Sequence, residues 1–254
     1  MLLLRLAGPM QSWDTAPRRD VQVSREPSKC GVVALLCAAM GTDLTLPRLM
    51  EPLARLRMGV RVDREGVLAR DFLAETALDL LGTDSDGNGD CGGVAGERSQ
   101  SRCLADAGFL VALEGEPEVL ARCDRGLRSP RSPLYLGRVG YLPAEPVHLE
   151  DGLCQGCLEE ALKQYWWRPR PRESLPPWGL RFVIETTEAS GEVRLDQPLC
   201  LAPGRVRLGK RHVITSWDMP RCVAPPEGAE GVWSVPPQGV SAPLDDPAAR
   251  PGPR

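Results

Sequence analysis

The chain has 254 residues, 42% of them hydrophobic and 26% charged, with a formal net charge of −3. This is the length and composition of a soluble globular protein with one large domain or two small ones, and it argues against a generic basic nucleic-acid coat. No run reaches the roughly 18–20 apolar residues of a membrane span, and no apolar segment follows a basic start, so the expectation is a cytoplasmic chain without a membrane partner.

In chain order, Leu2–Ala7 reads as a buried strand ended by Gly8-Pro9. An irregular stretch with Gln11, Trp13, Arg18, Arg19 and Arg25 follows. Ser28 can cap a helix that is apolar on every side from Gly31 to Met40 and stops at Gly41. Leu46–Leu56 predicts an amphipathic helix, and Val60–Asp63 alternates like a strand. Glycines 82, 87, 89, 92, 93 and 96 mark a flexible insertion. Leu104–Leu113 predicts one strand, Pro117–Leu127 a helix with proline near its start, and Pro133–Arg138 another strand. This order suits a ferredoxin-like split β-α-β unit with helices over an antiparallel sheet. Leu153–Tyr165 predicts a further helix. Phe182–Thr186, Val193–Leu195 and His212–Ser216 predict strands of a hairpin-like second lobe, and a proline-rich tail begins at Val223.

Several motifs invite chemistry and fall short. Asp84–Asp90 begins like a calcium loop, but Ala95 stands where the bidentate carboxylate belongs. Cys154-Gln155-Gly156-Cys157 is a single CxxC without the second pair a structural zinc needs. The nine cysteines are odd in number, and reduced thiols are the expectation. Lys210-Arg211-His212 is the one cluster of acid–base groups, and no P-loop or nucleophile elbow appears. The expectation is therefore no metal, no cofactor and no catalytic residue.

The N-terminal block is more informative. The strand end at Gly8–Trp13 meets the helix start at Arg25–Gly31. A helix amino end carries free N–H groups and partial positive charge. Ser28 and Lys29 add a hydroxyl and a cation, and Gly31 allows close backbone approach. Trp13, Arg18 and Arg25 offer stacking and phosphate contacts, although Trp13 is equally suited to a core.

These residues resemble the type I-E CRISPR-associated CasD proteins, the fifth-numbered Cas family. The resemblance rests on Leu3–Trp13 (LLRLAGPMQSW) and Arg25–Leu36 (REPSKCGVVALL), and continues in Leu104–Leu113, Pro133–Arg138, Gly152-Leu153 and Leu158–Leu162. It runs over roughly residues 2–218. The family usually has glycine after the tryptophan, where this chain has Asp14.

The resemblance implies an α+β, ferredoxin-like RAMP domain over residues 1–140, with a β-hairpin thumb inserted at about 71–100. A small, mostly-β lobe over 141–222 and the tail over 223–254 complete the expected organisation. Such proteins cap one end of Cascade, the antiviral surveillance ribonucleoprotein. They hold the 5′ handle of the CRISPR RNA and contact the CasC backbone, the large subunit CasA and the other subunits. They meet target DNA through the complex. Cutting of the precursor RNA falls to CasE, so this chain is expected to be a binder. The residues expected on RNA are Gln11, Trp13, Arg18, Arg25, Ser28, Lys29 and Gly31, then Gln100, Arg102 and Arg138, with Ser28 and Lys29 as a phosphate clamp. The alternative is a metal-independent endoribonuclease acting on repeat RNA through His212.

Overall fold

The computed structural model describes residues 1–13, 24–43, 46–70, 102–169, 173–202 and 205–223. The expected thumb at 71–100, together with Arg18, Gln100 and Asp84–Asp90, lies outside the described residues, as does the chain after Val223.

Strand β1 (Leu2–Ala7) is buried along its whole length, because it runs inside the sheet with both faces covered. Leu2, Leu4 and Leu6 point to one core, and Leu3 to a second core on the other face. Its neighbour β6 (Gly108–Glu114) pairs antiparallel in the register Leu2↔Leu113 to Ala7↔Gly108. With β3 (Arg57–Arg64), β7 (His148–Leu153), β8 (Leu180–Thr186), β9 (Glu192–Ala202) and β10 (Arg205–Asp218) they form a seven-stranded sheet in the order β7-β1-β6-β3-β8-β10-β9. Every pairing in it is antiparallel. A second, three-stranded sheet is ordered β2 (Met10–Gln11), β5 (Arg102–Ala105), β4 (Val67–Arg70).

Helix α1 (Lys29–Met40) covers the first core with Val32, Leu36 and Cys37. It is apolar all round because α2 (Pro47–Ala54) and α3 (Pro117–Arg128) pack on the sides the sheet leaves open. Ser28 caps its start, and Gly41, at φ 64, turns the chain left-handed at its end. There Thr42 N–H donates to Cys37 O at 2.8 Å, closing a Schellman-type turn. Leu36 is fully buried, and truncating it to alanine would cost about 2–5 kcal/mol.

The second core lies under α4 (Leu158–Gln164), where Leu158 and Leu162 meet Leu3, Leu110 and Phe182. Arg61 is wholly buried and holds this helix down. Its Nη1 donates to Leu162 O and Tyr165 O, both at 2.6 Å, and its Nε donates to Asp63 at 2.6 Å.

Three expectations change. Leu104–Leu113 is not one strand: Asp106, at φ 61, breaks it into β5 and β6, which serve different sheets. Pro133–Arg138 is loop, held by Ser12 N–H donating to Leu136 O at 3.0 Å. The C-terminal strands are not a separate sheet, since β8 pairs directly with β3 and β7 with β1 across the division expected near residue 140.

Candidate nucleic-acid interface

The two N-terminal motifs meet in space. Gln11 is buried, and its Nε2 donates to Leu6 O at 3.3 Å and to Ala107 O at 2.9 Å. Its Oε1 accepts from Trp13 Nε1 at 3.0 Å. Gln11 thus ties the end of β1 to the start of β6 and orients the indole. The Trp13 ring lies over Gly31, where a Cβ would sit 2.9 Å from Trp13 Cε3 and 3.0 Å from Ser28 Oγ. Only a residue without a side chain lets strand end and helix start approach this closely.

The amino end of α1 is not an open anion seat. Ser28 Oγ accepts from Gly31 N–H at 3.3 Å. The Lys29 backbone N–H donates to Asp196 Oδ2 at 2.9 Å, so a carboxylate from β9 takes the place expected for phosphate. Asp196 also accepts from Arg211 Nε at 2.6 Å and Nη2 at 2.8 Å. The Lys29 ammonium, with its residue 2% exposed, donates to both Glu185 oxygens at 2.9 and 3.0 Å. Burial pulls the Lys29 pKa below its ordinary value, against the opposing pull of Glu185. The expected Ser28–Lys29 phosphate clamp is therefore corrected to an internal lock. Gln11, Trp13 and Gly31 are likewise committed to protein packing, and Trp13 belongs to the core. The cause is a β9 carboxylate that no local pattern around Ser28 announces.

The expected arginines within the described residues fare differently. Arg25 is exposed, while its neighbour Glu26 is buried between Arg181 and Arg194, each donating at 2.8 Å. Arg138 lies with its guanidinium 5.6 Å over the Tyr141 ring. Arg102 is exposed on β5 and stands directly opposite Arg70 on β4. Directly opposed residues of an antiparallel pair share a face, and like charges there repel. Neither arginine has an ion-pair partner among the described residues. Guanidinium groups are planar forks of donors whose chemistry suits an anion. Nothing in the sequence around Arg70 marks it as a site residue, because only the β4–β5 register brings it opposite Arg102.

Elsewhere the chemistry is thin. No group of three or more metal-ligating side chains occurs among the described residues. No described helix is long and apolar enough to cross a membrane. His148 Nε2–H donates to Asp124 Oδ1 at 2.9 Å, and His212 Nδ1 lies 3.4 Å from Gly191 O.

Antiparallel sheets with helices packed on both faces define a mixed α/β protein. The family model for CRISPR-associated protein (Cas_Cas5) matches residues 1–214, and the chain belongs to that family. The CRISPR system Cascade subunit CasD of Escherichia coli (strain K12) is 30% identical over 162 residues, covering 61% of this chain and 71% of that protein. A solved structure described as "Crystal structure of Cas protein" is 39% identical with a TM-score of 0.65, over 85% of this chain and 93% of that one. A chain from a "CRISPR RNA-guided surveillance complex" is 26% identical with a TM-score of 0.63, over 89% and 94% respectively.

Proposed function

We propose that this chain is a non-catalytic subunit of a type I-E Cascade complex, which binds the 5′ handle of the CRISPR RNA and caps the backbone in antiviral defence. Its partners in this reading are the CRISPR RNA, the CasC backbone, the large subunit CasA and the other subunits. Family membership and the likeness to a chain of an RNA-guided surveillance complex support it. The strand order β7-β1-β6-β3 around the succession β1-α1-β3-β6-α3-β7 supports a ferredoxin-like reading of the domain. The antiparallel β4–β5 pair brings residues 70 and 102 together, which fits a thumb inserted between them.

The observation that carries RNA binding is the Arg70–Arg102 pair, a concentrated positive site on a net acidic chain. Single-stranded RNA is held through phosphates and stacked bases, and two guanidinium forks can share a phosphate. Arg25 and Arg138 are the further contacts among the residues the sequence singled out. Gln11, Trp13, Ser28, Lys29 and Gly31 support the interface from within.

Co-expression with the other subunits and a CRISPR RNA tests this. Reversing both charges, Arg70→Glu with Arg102→Glu, should lower RNA retention about tenfold or more while thermal unfolding is unchanged. Undiminished retention would overturn the reading, as would metal-free cleavage of repeat RNA by the purified chain that disappears in His212→Ala.

A further inference from the structure

Helix α3 has two unlike faces. Val119, Leu120, Cys123 and Leu127 are buried in the first core. Beyond the first turn, every exposed position is an arginine: Arg122, Arg125 and Arg128. Arg131, just past the helix, is exposed as well. Its N–H donates to Ala39 O at 2.9 Å, and its stem lies where any side chain at Gly41 would stand, so it is set beside the carboxyl end of α1. From residue 119 to 144 the sequence has five arginines and one carboxylate, Asp124, on a chain of net charge −3. Asp124 is buried and already accepts from Arg128 and His148. Arg122, Arg125 and Arg131 have no ion-pair partner among the described residues.

Like charges one turn apart on a helix repel, and only the last-turn pair Arg125 and Arg128 gains from the helix dipole. An external polyanion removes that repulsion. The row from Arg122 to Arg128 is about 9 Å long along the axis. One strand of a DNA duplex carries two to three phosphates over that length, at about 3.4 Å each. No aromatic residue occurs between positions 119 and 134, so the face offers phosphate contacts and no platform for unpaired bases. We propose that the arginine row of α3, extended by Arg131, binds the phosphate backbone of double-stranded DNA without reading its sequence. The row shares no residue with the Arg70–Arg102 pair, and its failure would leave the RNA-handle reading standing.

Fluorescence anisotropy of a short labelled DNA duplex, titrated with the full chain at low salt, tests the row. The expected result is binding that weakens as salt rises. Arg122→Gln with Arg125→Gln should lower affinity about tenfold and reduce the slope of log K against log salt by about 1.8, at about 0.9 for each lost phosphate contact. Arg122→Lys with Arg125→Lys should keep the slope, because the charge is retained. Arg122→Gln with Arg131→Gln alters the helix at one position only and should give the same loss, with thermal unfolding unchanged. Arg55→Gln, on α2, should leave the slope as it is. Absence of duplex binding at low salt, or an unchanged slope in both glutamine pairs, would overturn the proposal. Tighter binding of a single strand of the same sequence, lost in the same variants, would overturn the assignment to a duplex.

Discussion

Lys29 donates its backbone N–H to the carboxylate of Asp196 at 2.9 Å, joining residues 167 positions apart. The contact seals the amino end of α1 with β9, and Arg211 holds the same carboxylate from β10. Removing one member of such a buried set strands the others. Asp196→Ala should cost about 3–5 kcal/mol, read as a lowered urea midpoint. Pairing Asp196→Leu with Arg211→Met should restore much of that loss, because an apolar replacement leaves no orphan charge. Double-variant stability no better than Asp196→Ala would show that the ion pair contributes more than its own desolvation.

Gly137 sits at φ +88, and a Cβ there would collide with the Ser12 backbone oxygen. Both features penalise any side chain. Gly137→Ala should destabilise by about 2 kcal/mol or more and loosen the loop beneath Trp13. Denaturant unfolding measures the first effect, and quenching of Trp fluorescence reports the second.

Salt tests the nature of the RNA contact. If Arg102 touches a single-strand phosphate, Arg102→Gln should reduce the slope of log K against log salt by about 0.7. An unchanged slope with weaker binding would assign Arg102 to base contact or folding.

The thiols divide by burial. Desolvation raises Cys37 to about 11 and Cys123 to about 12, whereas Cys157 is exposed. Alkylation followed by mass spectrometry should label Cys157 before Cys37 and Cys123, which stay unmodified until denaturant is added.

Arg57 Nη2 donates to Glu159 Oε1, and this hydrogen bond holds the Glu159 carboxyl below its ordinary value of 4.5. A carboxylate with a folded pKa below its unfolded one stabilises above the unfolded value and loses that contribution as pH falls through the folded one. Glu159→Gln should therefore narrow the stability difference between pH 6 and pH 3, by a small amount because the pair is half-exposed. An equally steep acid limb in the variant would assign the loss to other carboxylates.

Local rules sufficed where one element decides its own structure. The apolar run after Ser28, stopped by Gly41, was readable as α1, and Pro117 as the first residue of α3. They failed where partners decide. β7 (HLEDGL) carries too many charges to look like a strand, yet an edge position beside β1 tolerates them. The break at Asp106 needs a left-handed residue that nothing in the alternation of Leu104–Leu113 demands. The Ser28–Lys29 motif was visible, but its partner Asp196 lies too far along the chain to be inferred. The motif consequently looked like a ligand site while serving as a joint. Arg70 was invisible for the converse reason, since its significance comes wholly from strand register.

Because β8 seats itself against β3, the middle of the sheet stays unfinished during synthesis until residues 180–186 have left the ribosome. The emerging chain must therefore carry an open strand flank for more than a hundred residues. Such a flank invites pairing with a neighbouring nascent copy, which makes early capture by assembly partners or a chaperone the safer route to the finished protein.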